Sequence, residues 1–389
     1  MNITDSPTFC PRPWTTLDLR QDSKVRVCPH NLEPIGNTNN ETMDSIVNNS
    51  TILKSMKETI ANGQWATNCS HCRELENIGK NSERQEQIRN CSMELKSEIN
   101  KDINTFMLTE TMIAWSNLCN LSCNYCDGWS STTWQLTLNK SFNLISVSDD
   151  AKDWVINNSN NLKSVMLYGG EPLLQKKLPE LLSALKSKSN IAIITNLSAP
   201  LETNPVFNAI ITNKDINPVK WFISFDNVGE RFEYVRHGSN WDLFKNNIDI
   251  LKKYNQIIIA HSVYGLYSAL TLEEYFDFCV GNDLNVFYGK MQYFPIEQDI
   301  RYAPQSIIEL AVQNIDKILI KYKDKLNLNE LIDYRNTLLE DTSYRELSNK
   351  DKATKILASN QNIENILPKK KTFAELWPNV QQLLEEEIN

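Results

Sequence analysis

Cys119, Cys123 and Cys126 stand within eight residues of one another in the stretch SNLCNLSCNYCDGWSS (116–131). A disulfide uses two thiols and a structural zinc site takes four protein ligands, so three thiols match neither. Each of three thiolates on a short loop can hold one iron of a cubane cluster, which leaves the fourth iron to an exogenous ligand. Catalytic metal sites keep an open position of that kind. The rival reading is a zinc knuckle completed by a distant His or Cys. Spacing alone leaves both open.

A second set, Cys10, Cys28, Cys69 and Cys72, supplies a full four ligands. One precedes a hairpin pattern, one follows it, and a C-x-x-C comes later; zinc and an iron–sulfur cluster fit them equally well. Two cysteines remain. Cys279 ends the pattern Leu272, Tyr275, Phe276, Cys279, the apolar stripe of a helix, where a thiol packs as a small hydrophobe. Cys91, in the polar helical pattern ERQEQIRNCSMELK, reads as an idle surface thiol, with a reactive one as the alternative.

Composition narrows the setting. The 389 residues suggest two or three domains, and 41% apolar residues provide for a sizeable core. A net charge of -8, with both signs mixed along the chain, argues against a general nucleic-acid binder. Lys369-Lys370-Lys371 is too short to alter this and reads as a solvated loop. The opening MNITDSPTFC has no charged or apolar signal region, and no run of eighteen apolar residues exists, so neither secretion nor a membrane span is expected. The expected location is the cytoplasm, a reducing compartment where clustered cysteines serve as metal ligands or reactive thiols.

The elements that must position these groups follow from periodicity. Expected strands are 112–116, 164–168, 191–195, 221–225, 257–263 and 285–289, with amphipathic helical stretches such as 178–187 and 241–254 between them. Alternating strands and helices imply parallel βαβ units, and six of them make an open or partial (β/α) barrel. Chemistry in such folds gathers at the C-terminal ends of the strands. The three-cysteine loop, Gly169-Gly170-Glu171-Pro172, Thr195-Asn196 and the stretch SFDN (224–227) each follow one strand. Before the barrel, residues 15–28 read as a β-hairpin around QDSK, followed by a helical stretch. After about residue 300 the pattern turns helical, as in 304–322, and the tail reads as a short helix interrupted early by Pro378. The expected division is 1–105, 106–300 and 301–389.

With these motifs in place, the chain resembles the radical SAM superfamily. Cys119-x-x-x-Cys123-x-Tyr125-Cys126 matches its C-x-x-x-C-x-Φ-C signature, and Gly169-Gly170-Glu171-Pro172 its GGE-type motif. The resemblance implies a partial (β/α)6 radical SAM barrel in which Cys119, Cys123 and Cys126 ligate a [4Fe-4S] cluster. S-adenosyl-L-methionine would chelate the open iron, with Tyr125 near its adenine and Gly169, Gly170, Glu171 and Pro172 at its methionine amino group. Asn196, Ser224 and Asp226 would bond the ribose or the methionine carboxylate, and Arg236 would pair with that carboxylate. Reductive cleavage would release a 5′-deoxyadenosyl radical that abstracts a substrate hydrogen.

The stretches 9–28, 63–86 and 116–134, together with 224–248, look like the branch of that superfamily with an N-terminal twitch-type (SPASM-related) auxiliary module. The likeness runs to about residue 300. It implies a second, auxiliary [4Fe-4S] cluster on Cys10, Cys28, Cys69 and Cys72, and a helical C-terminal extension. Cys28-Pro29-His30 departs from many relatives, which carry a second cysteine there; His30 or His71 as a substitute ligand would make a different site. The implied partners are an electron donor such as flavodoxin or ferredoxin and a substrate that is a small molecule (a carbohydrate among the options) or a peptide. No leader-peptide recognition domain is evident, which favours the small molecule. The competing function is a non-catalytic scaffold binding zinc or an iron–sulfur cluster.

Overall fold

The computed structural model describes residues 2–138, 141–186, 188–341, 343–344 and 346–389. Its strands, in chain order, are β1 (Thr16–Leu19), β2 (Lys24–Arg26), β3 (Gly36–Asn37), β4 (Glu110–Ile113), β5 (Ser122–Cys123), β6 (Ser164–Leu167), β7 (Asn190–Thr195), β8 (Lys220–Ser224), β9 (Arg236–His237), β10 (Ile257–Tyr264) and β11 (Asn285–Met291). The chain forms two compact units, one of residues 1–118, 144–193 and 203–219, the other of 119–143, 194–202 and 220–389.

The first unit is built on a sheet ordered β7-β6-β4-β1-β2-β3. β4 pairs in parallel with β6, and β6 with β7, as alternating strands and helices require. The helix Asp149–Asn157 precedes β6 and the helix Leu178–Ala184 precedes β7. Ser187, the end of the helical stretch expected at 178–187, lies outside the described residues. β4 starts two residues before the strand expected at 112–116 and ends at Ile113; Ser116 instead makes a lone bridge with Ser146.

The expected hairpin is present, with Asp18 opposite Arg26 and Leu19 opposite Val25. Its turn places Ser23 at a φ of 61°, and β3 adds a third strand. β1 also pairs in parallel with β4, from Thr16 opposite Glu110 to Leu19 opposite Ile113. The N-terminal segment is therefore an extension of the sheet that holds β4, and no unit boundary falls at 105/106. All four residues of β1 are buried. The one charge among them, Asp18, is met by Arg20 at 2.8 Å and by the Tyr168 hydroxyl at 2.7 Å.

In the second unit β8, β10 and β11 run in parallel, with β10 in the middle. Burial alternates along β10, so one face is covered and the other is partly open. The covered core joins Phe225, Phe232, Phe244 and Tyr275 from adjoining helices and turns. Cys279 is fully buried on the helix Leu272–Gly281, with Leu272, Tyr275 and Phe276 on the same stripe. Cys91 is half-buried where the helix Glu83–Asn90 ends, so the expected single helix is two. Helices Gln305–Tyr322, Asn329–Glu340 and Asn349–Ile366 follow the sheet, and they share one unit with 220–300 rather than parting from it at 300/301. Pro378 opens the final helix, Pro378–Ile388, at its first position, where a missing N–H costs nothing. No described helix is long and apolar enough to cross a membrane.

The first unit also buries a lysine. The helix Thr51–Ala61 turns Leu53, Met56, Lys57 and Ile60 inward. The Lys57 ammonium donates to the carbonyls of Asn104 and Thr105 at 3.4 and 2.9 Å and lies 5.7 Å from the Trp14 ring centre. Burial pushes it down to about 8, against a smaller opposing pull from Asp102. The unfolded chain therefore holds more protons than the fold between about pH 8 and the usual lysine value, and this group makes stability rise with pH across that window. Urea unfolding from pH 7.5 to 10.5 should show Lys57→Met losing that rise relative to the parent, while below pH 8 the two profiles run parallel.

Candidate functional site

The three-cysteine loop is tied at each cysteine to its own surroundings. The Cys119 N–H donates to Thr132 Oγ1 at 3.2 Å, and Thr133 Oγ1 donates to the Cys119 carbonyl at 2.6 Å. Ser131 caps the helix Thr132–Thr137 and also donates to the Leu121 carbonyl at 2.7 Å. That helix aims the Trp134 indole N–H at the Cys123 carbonyl, 2.8 Å away. Cys123 lies in β5, opposite Arg236 of β9. The Cys126 N–H then closes a turn onto the Cys123 carbonyl at 2.9 Å.

The thiols are close enough to influence one another. Burial raises Cys126 above the usual thiol value, and Cys123 and Cys119 add to that. Burial also raises Cys123, with Arg236 as the largest opposing influence. Such thiols ionise when a metal supplies the compensating charge. Asn196, expected at the cofactor, directs its amide nitrogen to Cys119 Sγ at 3.7 Å and to Asn120 Oδ1 at 3.0 Å. Among the described residues no three His, Cys, Asp or Glu side chains converge as a single ion would require. A tetrahedral zinc would draw sulfurs to about 4 Å from one another, given Zn–S bonds of about 2.3 Å.

Tyr125, Asp226 and Arg236 form one buried assembly. Asp226 Oδ2 accepts from the Tyr125 hydroxyl at 2.6 Å and from Arg236 Nε at 3.0 Å, while Oδ1 accepts from the Val263 N–H at 2.9 Å and the Ser262 hydroxyl at 3.3 Å. The guanidinium also sits 5.5 Å from the Tyr125 ring centre. Burial works against the Arg236 charge, and Asp226, Tyr125 and Cys123 outweigh it. Burial lifts the Tyr125 phenol well above its usual range. Both Asp226 oxygens thus have protein partners. Ser224 ends β8 on the half-open face of the sheet.

Gly169, Gly170, Glu171 and Pro172 belong to the first unit and pack on the segment that leads out of β4. The Gly170 N–H donates to the Ser116 carbonyl at 3.1 Å and the Glu171 N–H to the Leu118 carbonyl at 2.7 Å. Gly169 has a φ of 108°, and a Cβ there would lie 2.9 Å from the Ala114 methyl. At Gly170 a Cβ would fall on the Leu118 carbonyl oxygen and 2.7 Å from the Asn117 carbonyl carbon. Glycine is therefore required twice for backbone to pack on backbone. The Glu171 carboxylate, 0% exposed, accepts from the Leu173 N–H at 3.0 Å and caps the turn Pro172–Leu174.

Cys10, Cys28, Cys69 and Cys72 line one pocket of the first unit. Burial pushes Cys10 up to about 12 and Cys69 to about 11, and it raises Cys72 as well. Arg12, which sequence reasoning did not single out, donates to Cys28 Sγ at 3.3 Å and pairs with Glu83 at 2.8 Å and Glu110 at 3.5 Å. Arg12 Nε and Asn31 Nδ2, both of pocket residues, are buried donors without a partner among the described residues. Four thiols and unmet N–H donors suit an anionic sulfide cluster. His30 binds Glu83 at 2.9 Å and stacks on His71 with ring centres 4.0 Å apart.

Lys370 and Lys371 lie in the exposed loop expected, but Lys369 turns inward. Lys369 Nζ donates to Asn124 Oδ1 at 2.8 Å and to the Tyr234 carbonyl at 2.6 Å, and burial pushes the ammonium down to about 7. Lys370 and Lys371 pair with Glu233 and Glu230, each at 2.6 Å. A run of three like charges carries no local mark of which one will be buried.

The Radical SAM superfamily model matches residues 113–278. Over 86 residues the chain is 37% identical to the 7-carboxy-7-deazaguanine synthase of Clostridium acetobutylicum, covering 22% of this chain and 36% of that one. Similar solved structures include native anSMEcpe with bound AdoMet, at 16% identity and a TM-score of 0.41 over 55% of this chain and 60% of that one. Another is Streptococcus suis SuiB bound to precursor peptide SuiA, at 16% identity and a TM-score of 0.41 over 72% and 64%. The chain thus spans about a third of the length of the curated relative and less than two thirds of either structure.

Two substitutions probe this geometry. Gly170→Ala meets backbone that cannot step aside and should cost about 2 kcal/mol or more in denaturant unfolding of the metal-free protein. Asp226→Asn keeps the shape of the assembly but strands the Arg236 charge, and the same measurement should show a loss of about 3–5 kcal/mol.

Proposed function

We propose that this chain is a radical SAM enzyme. Cys119, Cys123 and Cys126 hold a [4Fe-4S] cluster, and Cys10, Cys28, Cys69 and Cys72 hold an auxiliary one in residues 1–105, a twitch-like segment that shares its unit with β4. The observation that carries the reading is the short loop that bears the three thiols, anchored through its backbone by Thr132, Thr133 and Trp134 and lying within the segment that matches the superfamily. When bound, the first cluster with S-adenosyl-L-methionine supplies a 5′-deoxyadenosyl radical that takes a hydrogen from substrate.

The remaining roles belong to the chain. Trp134, Thr132 and Thr133 fix the loop backbone, and Asn196 donates to Cys119. Arg236 pairs with Asp226, and Asp226 accepts from the Tyr125 hydroxyl and so orients it beside the loop. The tight Gly169-Gly170 turn, with no side chain in the way, would offer its backbone to a methionine amino group. In the auxiliary pocket, Arg12 donates to Cys28, and Arg12 Nε and Asn31 Nδ2 keep N–H groups for cluster sulfides.

Phe222, His261 and Phe287 share with Ser224 the half-open face of the second unit's sheet, with His261 and Phe287 ring centres 5.6 Å apart. This face is our candidate substrate wall, and its rings favour a small planar molecule over a peptide. An electron donor such as flavodoxin or ferredoxin would supply the reducing electron.

Anaerobic reconstitution should load about eight irons per chain, and dithionite with S-adenosyl-L-methionine should yield 5′-deoxyadenosine. Cys123→Ala should abolish that product, whereas Cys69→Ala should lower the iron content and leave the product. Zinc without iron after anaerobic purification, or 5′-deoxyadenosine from the Cys123→Ala protein, would overturn the assignment and leave a metal-binding scaffold.

A further inference from the structure

The C-terminal segment closes on the three-cysteine loop at several points, all within the second unit. Ile363 and Leu367 pack with Trp134, and Cys126 lies against that cluster. Glu364 accepts from the Tyr234 hydroxyl at 3.0 Å, and Asn360 from the Tyr267 hydroxyl at 2.6 Å. Lys369 is the polar end of this grip. Its ammonium joins two acceptors, Asn124 Oδ1 at 2.8 Å and the Tyr234 carbonyl at 2.6 Å, and lies 4.8 Å from the Tyr234 ring centre.

Asn124 stands between Cys123 and Tyr125 and is 4% exposed. Its backbone is held too: its N–H donates to the Val235 carbonyl at 2.8 Å, and its carbonyl accepts from Gln298 Nε2 at 3.0 Å. A residue fixed in this way sets the direction of the thiol before it and the phenol after it. Lys370 and Lys371 make only exposed ion pairs, with Glu233 and Glu230 of the helix Gly229–Val235.

We infer that Lys369 is a positioning residue of the radical-initiating site: through Asn124 it holds Cys123 and Tyr125 in place. The inference rests on the function proposed above. A hydrogen-bonded support behind a cluster ligand tunes the cluster, and loss of the Lys369 donor to Asn124 removes a stabilising influence on the reduced form, so reduction becomes harder. The segment after residue 360 is then part of the cofactor site, reaching it from the far end of the chain.

The test compares the reconstituted parent with Lys369→Met, Asn124→Ala, the double variant and Lys370→Met. Each is titrated with dithionite while following the electron paramagnetic resonance signal that changes when S-adenosyl-L-methionine is added. Lys369→Met should move the midpoint potential of that signal to a more negative value and slow 5′-deoxyadenosine formation about 10–100-fold, the usual effect of removing a partner behind a metal ligand. Asn124→Ala should alter the same signal and speed cluster loss to a chelator. The double variant should lose cluster no faster than the worse single one, because the two residues act through one contact. Lys370→Met, which removes a surface ion pair, should match the parent.

A parent protein with no signal responsive to S-adenosyl-L-methionine would overturn the proposed function itself. A parent with that signal, beside a Lys369→Met protein of unchanged potential, spectrum and cluster lifetime, would overturn the role of Lys369 alone. If Lys369→Met does not fold, Asn124→Ala decides: an unchanged signal and cluster lifetime in that variant overturn the role.

Discussion

A carboxylate removed from water keeps its charge when an opposite charge and enough hydrogen-bond donors replace the solvent. Asp226 meets both conditions, with Arg236 as counter-ion and Tyr125, Ser262 and Val263 as further donors. Each donor comes from a different part of the second unit: Tyr125 from the cysteine loop, Arg236 from the short strand opposite Cys123, Ser262 and Val263 from the central strand β10. One ion pair thus sets the spacing between the loop and the end of the sheet. If either charge is removed, the other is left stranded, and the cysteine loop loses its reference point.

The two cysteine sets are positioned by different means. The central three stand on a loop whose shape comes from side chains bonding to backbone, Thr132, Thr133 and Trp134 from one side and Gln298 from another, with Lys369 on the Asn124 side chain. The N-terminal four stand around a pocket whose wall contains a buried cation, and that cation ties Cys28 to Glu110 at the first position of β4. The first arrangement orients a ligand set by its backbone. The second prepares an electropositive lining for an anionic guest, with N–H groups already turned away from water.

Local periodicity made the strands near 164–168, 191–195, 221–225, 257–263 and 285–289 legible, because half-covered parallel strands keep a repeat of two and end in turn residues. Cys279 was legible for the analogous helical reason. The pairing of β1 with β4 was not, since a parallel ladder between distant segments leaves no mark on either one. Asp226 and Arg236 were singled out as polar groups near a cofactor, but that they bond to each other follows only from the tertiary structure. The burial of Lys369 was opaque for the same reason: its partners, Asn124 and Tyr234, are more than a hundred residues away in sequence.

The ladder between β1 and β4 joins Thr16 to a residue 94 positions later in the chain. During synthesis at about 5–20 residues per second, β1 and its hairpin leave the ribosome several seconds before Glu110 exists. Throughout that interval the apolar edge made by Leu17 and Leu19 lacks its β4 partner, and Cys10 and Cys28 are already outside the ribosome without the lining that later buries them. The N-terminal segment therefore cannot mature on its own schedule. Its completion waits on β4, so the surroundings of the N-terminal thiols close only once the chain has been made past Glu110.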